Sequence, residues 1–109
     1  MEKMKARVLR EVGNLEYCDY PIPNLNSGEV LFKVKACGIC GSDIPRIFVN
    51  GTYHFPTIPG HEFSGIVVDV ADEENKNLIG MRATVFPLIP CKTCENCNNV
   101  RFEMCKSYD

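Results

Sequence analysis

Four cysteines near the C-terminal end constrain this chain more than any other feature. Cys91, Cys94, Cys97 and Cys105 follow the pattern C-x2-C-x2-C-x7-C. The whole chain holds seven cysteines in 109 residues, an odd number that cannot pair completely within it. The N-terminal Met1-Glu2-Lys3-Met4-Lys5 leads into a short alternating segment, without the long apolar centre and cleavage site of a signal peptide. A cytoplasmic, reducing home is therefore expected, where cysteine clusters are more often metal sites than disulfides. Three thiols three residues apart let a tightly wound chain present three sulfurs to one point. Cys105 returns as the fourth. Four thiolates fill a tetrahedral zinc shell and leave no position open, which makes the site structural. The bacterial ferredoxin run needs its fourth cysteine four residues after the third, followed by proline. Arg101 stands at that position. Disulfides and unligated core cysteines are the remaining alternatives, and the segment offers little core to hold the latter. The zinc-binding lobe is read as residues 90–106.

The rest of the chain reads as one globular unit, with 45% hydrophobic and 24% charged residues. Twelve basic and fourteen acidic residues are scattered, so no nucleic-acid footprint is expected. No stretch approaches the roughly 20 apolar residues of a membrane span. Period-two alternation predicts strands over 5–10, 15–20 and 29–36, with Val30, Phe32, Val34 and Ala36 on one face of the third. Further strands are predicted over 63–71 and 82–86, with a charged turn over 72–77 between them. Ser42 is a candidate N-cap for a short helix that carries Pro45 in its first turn and ends near Val49. Many short strands with Gly and Pro turns indicate a mainly β fold.

A second constellation joins Cys37-Gly38-Ile39-Cys40-Gly41-Ser42-Asp43 to Gly60-His61-Glu62. Cys37 and Cys40 form a C-x2-C, which admits a thiol redox pair. The other reading is a catalytic metal site, in which Cys40, His61 and a carboxylate make an S/N/O set that suits zinc with one position open. Adjacent side chains on a regular strand point to opposite faces. His61 and Glu62 therefore meet one metal only if the backbone bends, and Gly60 permits that bend. Glu62 is a direct ligand, an exchangeable ligand or an outer partner. Asp43 is a natural acceptor for an imidazole N–H behind the metal.

Taken together, C-G-I-C-G-S-D at 37–43, G-H-E-F-S-G at 60–65 and the cysteine lobe resemble the zinc-dependent medium-chain dehydrogenase/reductase (alcohol dehydrogenase) family. The resemblance runs from about Met4 to Asp109 and is closest to the sorbitol dehydrogenase-like polyol branch. C-G-S-D-I-P-R-I-F at 40–48 and F-P-L-I-P-C-K-T-C at 86–94 are similar to galactitol-1-phosphate-type dehydrogenases within that branch. It implies a GroES-like β-barrel with a short helix and a zinc-binding cysteine lobe. It also implies catalytic zinc ligands Cys40 and His61, and a glutamate, Glu62, that binds that zinc or lies just behind it. Ser42 corresponds to the hydroxyl that takes the alcohol proton, Asp43 to the outer acid, and Cys91, Cys94, Cys97 and Cys105 to the structural zinc ligands. The implied activity is oxidation of a polyol or polyol phosphate with NAD(P), by a homo-oligomeric parent. Zinc lowers the pKa of a bound alcohol, Ser42 relays the proton, and a hydride passes to the nicotinamide.

Arg46 carries a separate expectation, because a guanidinium suits a phosphate where other members of the branch have an aromatic residue. Phe48 is a candidate pocket residue. No G-x-G-x-x-G dinucleotide fingerprint is present, and the sequence stops four residues after Cys105. Residues 1–109 are therefore expected to be an N-terminal catalytic-domain fragment without its Rossmann cofactor domain, binding zinc but inactive alone. The alternatives are a stand-alone zinc module that mediates protein contacts, or a thiol redox protein using Cys37 and Cys40.

Overall fold

The computed structural model describes residues 2–107; the expected domain limits at Met1 and Asp109 lie outside them. The first two strands, β1 (Lys3–Glu11) and β2 (Asn14–Pro21), form an antiparallel hairpin around Val12-Gly13. Gly13 takes φ +80°, a conformation the tight turn needs and glycine adopts without a Cβ penalty. Ala6 and Val8 face inward as alternation requires, and Leu9 beside them is also fully buried. The pairing register shifts between Leu9 and Glu11, and Leu9, opposite Leu15 in the hairpin, also exchanges two backbone hydrogen bonds with Thr57, at 2.7 and 3.0 Å. The hairpin is thereby fastened to the segment that precedes the G-H-E motif. A further bond, from Gly13 N–H to the Ile47 carbonyl (2.6 Å), fastens its tip to the helical segment.

The second sheet holds β3 (Val30–Gly38), β4 (Glu62–Val70) and β5 (Arg82–Thr84), antiparallel in that order. Asp72 clasps its open end, accepting hydrogen bonds from the Ser27 hydroxyl (3.1 Å) and the Gly28 N–H (2.6 Å). Phe32 and Phe63 meet edge to face at 5.6 Å. Gly65 is obligatory, since a Cβ there would lie 2.0 Å from the Lys33 carbonyl oxygen. Val67 supplies the buried apolar residue of this sheet. The fold is mainly β, as expected; among the described residues its strands form two sheets, and the Leu9–Thr57 bridge joins the first to the segment that leads into β4.

Three local expectations need correction. The single apolar face of β3 is interrupted by register shifts at Leu31/Phe32 and Val34/Ala36, which leave Val30 and Val34 exposed. The last strand ends at Thr84 rather than Phe86, because the Thr84 hydroxyl caps the Phe63 carbonyl (2.8 Å). Ser42 is not a side-chain cap: its backbone is already helical and its hydroxyl turns elsewhere. The helix itself is one turn, α1 (Asp43–Pro45), widening into a π-helical turn over Arg46–Asn50. The predicted turn at 72–77 is a 3-10 turn over Glu73–Leu78. No helix among the described residues is long and apolar enough to cross a membrane.

Candidate functional site

Asp43 is the centre of the first site. It is 6% exposed, the one buried charged residue among those described. A buried carboxylate is costly unless its oxygens are engaged, and here both are. Oδ2 accepts the Cys40 N–H at 2.9 Å, and Oδ1 lies 3.5 Å from His61 Nδ1. The Asp43 N–H returns a bond to the Cys40 carbonyl (2.9 Å), which closes the turn after β3. Asp43 thus ties together two segments 21 residues apart, one from each side of the β3–β4 connection.

With Nδ1 turned to Asp43, His61 has its other nitrogen free. One donor atom each from Cys40, His61 and Glu62 lie within 4.8 Å of one another. Gly60, at φ +138°, supplies the bend that brings the adjacent His61 and Glu62 into one cluster. Glu62 is still in register, opposite Gly38, and it is the exposed member of the three. The Ser42 hydroxyl lies 3.3 Å from Cys40 Sγ, to which it donates. A soft thiolate, an imidazole and a carboxylate converging in this way form a donor set that suits zinc. Cys37 is outside the cluster and is exposed as a residue.

His61 stands between two clefts. One, of about 570 Å³, is also lined by Asp43, Arg46, Asn50, Tyr53 and His54. The other, of about 450 Å³, runs along Ala36, Phe63, Ser64 and Thr84. Arg46 therefore shares a cavity with His61, while Phe48 points to solvent, 61% exposed, and lines neither. His54 is a cleft residue that no motif in the sequence singles out.

The second site is built within one short segment. The Sγ atoms of Cys91, Cys94, Cys97 and Cys105 lie within 4.8 Å of one another, with Cys91–Cys97 and Cys94–Cys105 at 3.9 Å. Backbone amides aim at the sulfurs: Thr93 N–H (3.4 Å) and Cys94 N–H (3.3 Å) at Cys91, and Cys91 N–H (3.3 Å) and Ser107 N–H (3.4 Å) at Cys105. The Thr93 hydroxyl, a contact that spacing alone does not reveal, donates to Cys91 Sγ at 3.5 Å. It leads the effects that bring the Cys91 thiol down to about 5, with the Thr93 and Cys94 amides next. Cys94 is lowered by the Lys106 amide first. Burial pushes Cys97 up to about 12. Cys91 and Cys97 are thus pushed in opposite directions, a difference that a divalent ion bound to both sulfurs would even out.

Two backbone kinks set this lobe. Lys92 takes φ +64° and Val100 φ +59°. The helical turn α2 (Glu95–Asn98) ends in a Schellman arrangement, with Arg101 N–H on the Asn96 carbonyl (2.8 Å) and Val100 N–H on the Cys97 carbonyl (3.0 Å). The left-handed position belongs to Val100, a β-branched residue where glycine is favoured.

The chain is similar to known dehydrogenases over nearly all of its length. The alcohol dehydrogenase GroES-like domain model matches residues 26–109. The chain is 36% identical over 107 residues to galactitol 1-phosphate 5-dehydrogenase of Escherichia coli K12, covering 97% of the chain and 31% of that protein. It is 35% identical over 109 residues to sorbitol dehydrogenase of Bacillus subtilis 168, covering 95% and 31%. A cobalt- and zinc-bound thermostable alcohol dehydrogenase from Pyrobaculum aerophilum superimposes with a TM-score of 0.85 at 27% identity, covering 96% of this chain and 33% of that one. The chain spans about a third of the length of the proteins it matches.

Proposed function

Because the chain belongs to the alcohol dehydrogenase GroES-like family, we propose that it is the metal-bearing part of a zinc-dependent dehydrogenase that oxidises a secondary alcohol of a polyol or polyol phosphate. The observation that carries this reading is the Asp43 carboxylate, which holds Cys40 and His61 in one cluster with Glu62 and leaves an imidazole nitrogen and a thiolate for the metal. Zinc at that cluster supplies Lewis acidity, which lowers the pKa of an alcohol. Cys40, His61 and Glu62 hold it. Asp43 keeps His61 in the tautomer with its proton on Nδ1. Ser42 Oγ, 3.3 Å from Cys40 Sγ, is placed to take the substrate proton and relay it toward solvent. NAD(P) would be the hydride acceptor, and no residue of this chain is assigned to it. Cys91, Cys94, Cys97 and Cys105 hold a second zinc that organises residues 90–106 and takes no part in the reaction.

The substrate reading rests on Arg46. It lines the same cavity as His61 and has no carboxylate partner among the described residues. A free guanidinium there suits a phosphate at the far end of a polyol. Metal analysis tests the first part: two zinc per chain are expected, and a single zinc retained by the lobe alone would overturn the catalytic reading. In the whole enzyme, Arg46→Ala is expected to lower kcat/KM on a phosphorylated polyol more than on the plain one. Equal losses on both would remove the phosphate assignment.

A further inference from the structure

The first cysteine of the C-x2-C has no place among the donors, and its surroundings give it a different task. Cys37 pairs with Phe63 and Gly38 with Glu62, the last rungs of the β3–β4 ladder. Gly60 and His61 lie beyond that rung, where strand pairing no longer holds the backbone. Gly60 sits at φ +138°, a region few residues other than glycine enter. A Cβ built on it would come 2.9 Å from Cys37 Sγ, so the sulfur is packed against the Gly60 backbone. One residue along, a Cβ on Gly38 would lie 3.4 Å from Glu62 Oε2. The end of β3 therefore abuts the G-H-E turn at two points, while Asp43 holds His61 through Nδ1.

We propose that Cys37 is a positioning residue whose sulfur walls the Gly60 turn and so fixes the direction in which His61 leaves it. This rests on the reading of Cys40, His61 and Glu62 as one metal set. The sulfur acts through its bulk. It is outside the donor cluster, and its polar contact is with the Gly38 carbonyl at 3.6 Å. A glycine turn free on one side samples many backbone states, and each state swings the next side chain differently. A wall made of volume is replaceable by a methyl group in the same place. Valine provides one and alanine does not.

The test compares the wild-type chain with Cys37→Ala and Cys37→Val by two measurements. In the metal-free chain, 15N relaxation reports the mobility of the Gly60 and His61 amides. Zinc titration against a chromophoric chelator reports the affinity of the second site, with the lobe as internal reference. Cys37→Ala is expected to raise mobility at both amides and to weaken the second zinc about tenfold, the scale of losing an outer support of a metal ligand. The lobe zinc should not change, and Cys37→Val should restore both readings. Unchanged relaxation in Cys37→Ala overturns the proposal whatever the metal count. So does a valine variant as defective as the alanine one. A wild-type chain that takes up one zinc alone refutes the donor reading instead, and the relaxation measurement still decides the role of Cys37.

Discussion

The cysteine lobe and the Cys40–His61 cluster present donors in opposite ways. The lobe draws all four sulfurs from residues 91–105, and its own amides and the Thr93 hydroxyl point at them. The cluster draws its donors from two segments separated by 21 residues and relies on β3–β4 pairing, the Gly60 bend and one buried aspartate to bring them together. The lobe has almost no core, with Cys97 and Cys105 its buried apolar residues, whereas the cluster rides on the three-stranded sheet of β3, β4 and β5. A site made by spacing depends on its ion for shape. A site made by a fold depends on the fold, and the ion is a guest.

The sharpest way to break this contrast is metal removal. Chelation is expected to open amides across residues 91–105 to hydrogen exchange while the rungs of β3 and β4 stay protected, because structural zinc is worth of the order of 10 kcal/mol to a small metal-folded unit. Cys97→Ser should give the same pattern without chelator. Equal loss of protection in both regions would show that the two sites are one cooperative unit.

Next in size is the effect of Asp43. Asp43→Ala leaves the Cys40 N–H without its partner and frees the His61 ring. About a 10- to 100-fold loss in affinity of the second zinc is expected, with the lobe unaffected, as read by competition against a chelator. Asp43→Asn should lose less, since it can still accept the Cys40 N–H.

Protonation separates the sites further. Zinc must displace protons from the lobe thiols. Cys91, lowered to about 5, enters as a thiolate near neutrality and Cys94 is shifted in the same direction, while Cys97, raised to about 12, must give up its proton. Binding the first zinc near neutral pH should therefore release fewer than four protons, measured by calorimetry in buffers of different ionisation enthalpy. Lobe affinity should fall as pH falls, because each released proton opposes binding, and it should fall more steeply through about 5 as Cys91 protonates.

The smallest expected change is a gain. Val100 is 71% exposed and sits in the left-handed region that closes α2. Val100→Gly relieves a conformation that costs an L-residue roughly 1–2 kcal/mol. Part of that is offset by the greater freedom of glycine in the unfolded chain. A small rise in the lobe's thermal midpoint is expected, with no change at the Cys40–His61 cluster.

The two regions also differ in how far they can be read without coordinates. The lobe's ligand spacing is visible in the sequence because neighbouring residues make it. The hairpin and the main strands are visible too, through period-two alternation and the Gly13 turn. What alternation hides is irregularity: the shifted register of β3 and the double burial of Val8 and Leu9 come from contacts with distant strands. The motif C-G-I-C-G-S-D offers its aspartate as an acceptor for an imidazole, and Asp43 does lie beside His61, but it does not disclose that its first cysteine faces Gly60, because that contact depends on how β3 lies against β4. Thr93 and His54 escape for a simpler reason, since single polar residues carry no periodic signal.

The Leu9–Thr57 pair gives the N-terminal hairpin a place in the chemistry that its own residues would not. The family model begins at residue 26 and leaves the hairpin out. Yet the hairpin grips the backbone three residues before Gly60 and meets Ile47 one residue past Arg46. Both walls of the His61 cleft are thus moored to a ribbon that lies outside the donor cluster. Loosening that ribbon would alter the cleft from behind, so substitutions at Val8 or Leu9 belong among those that change its shape.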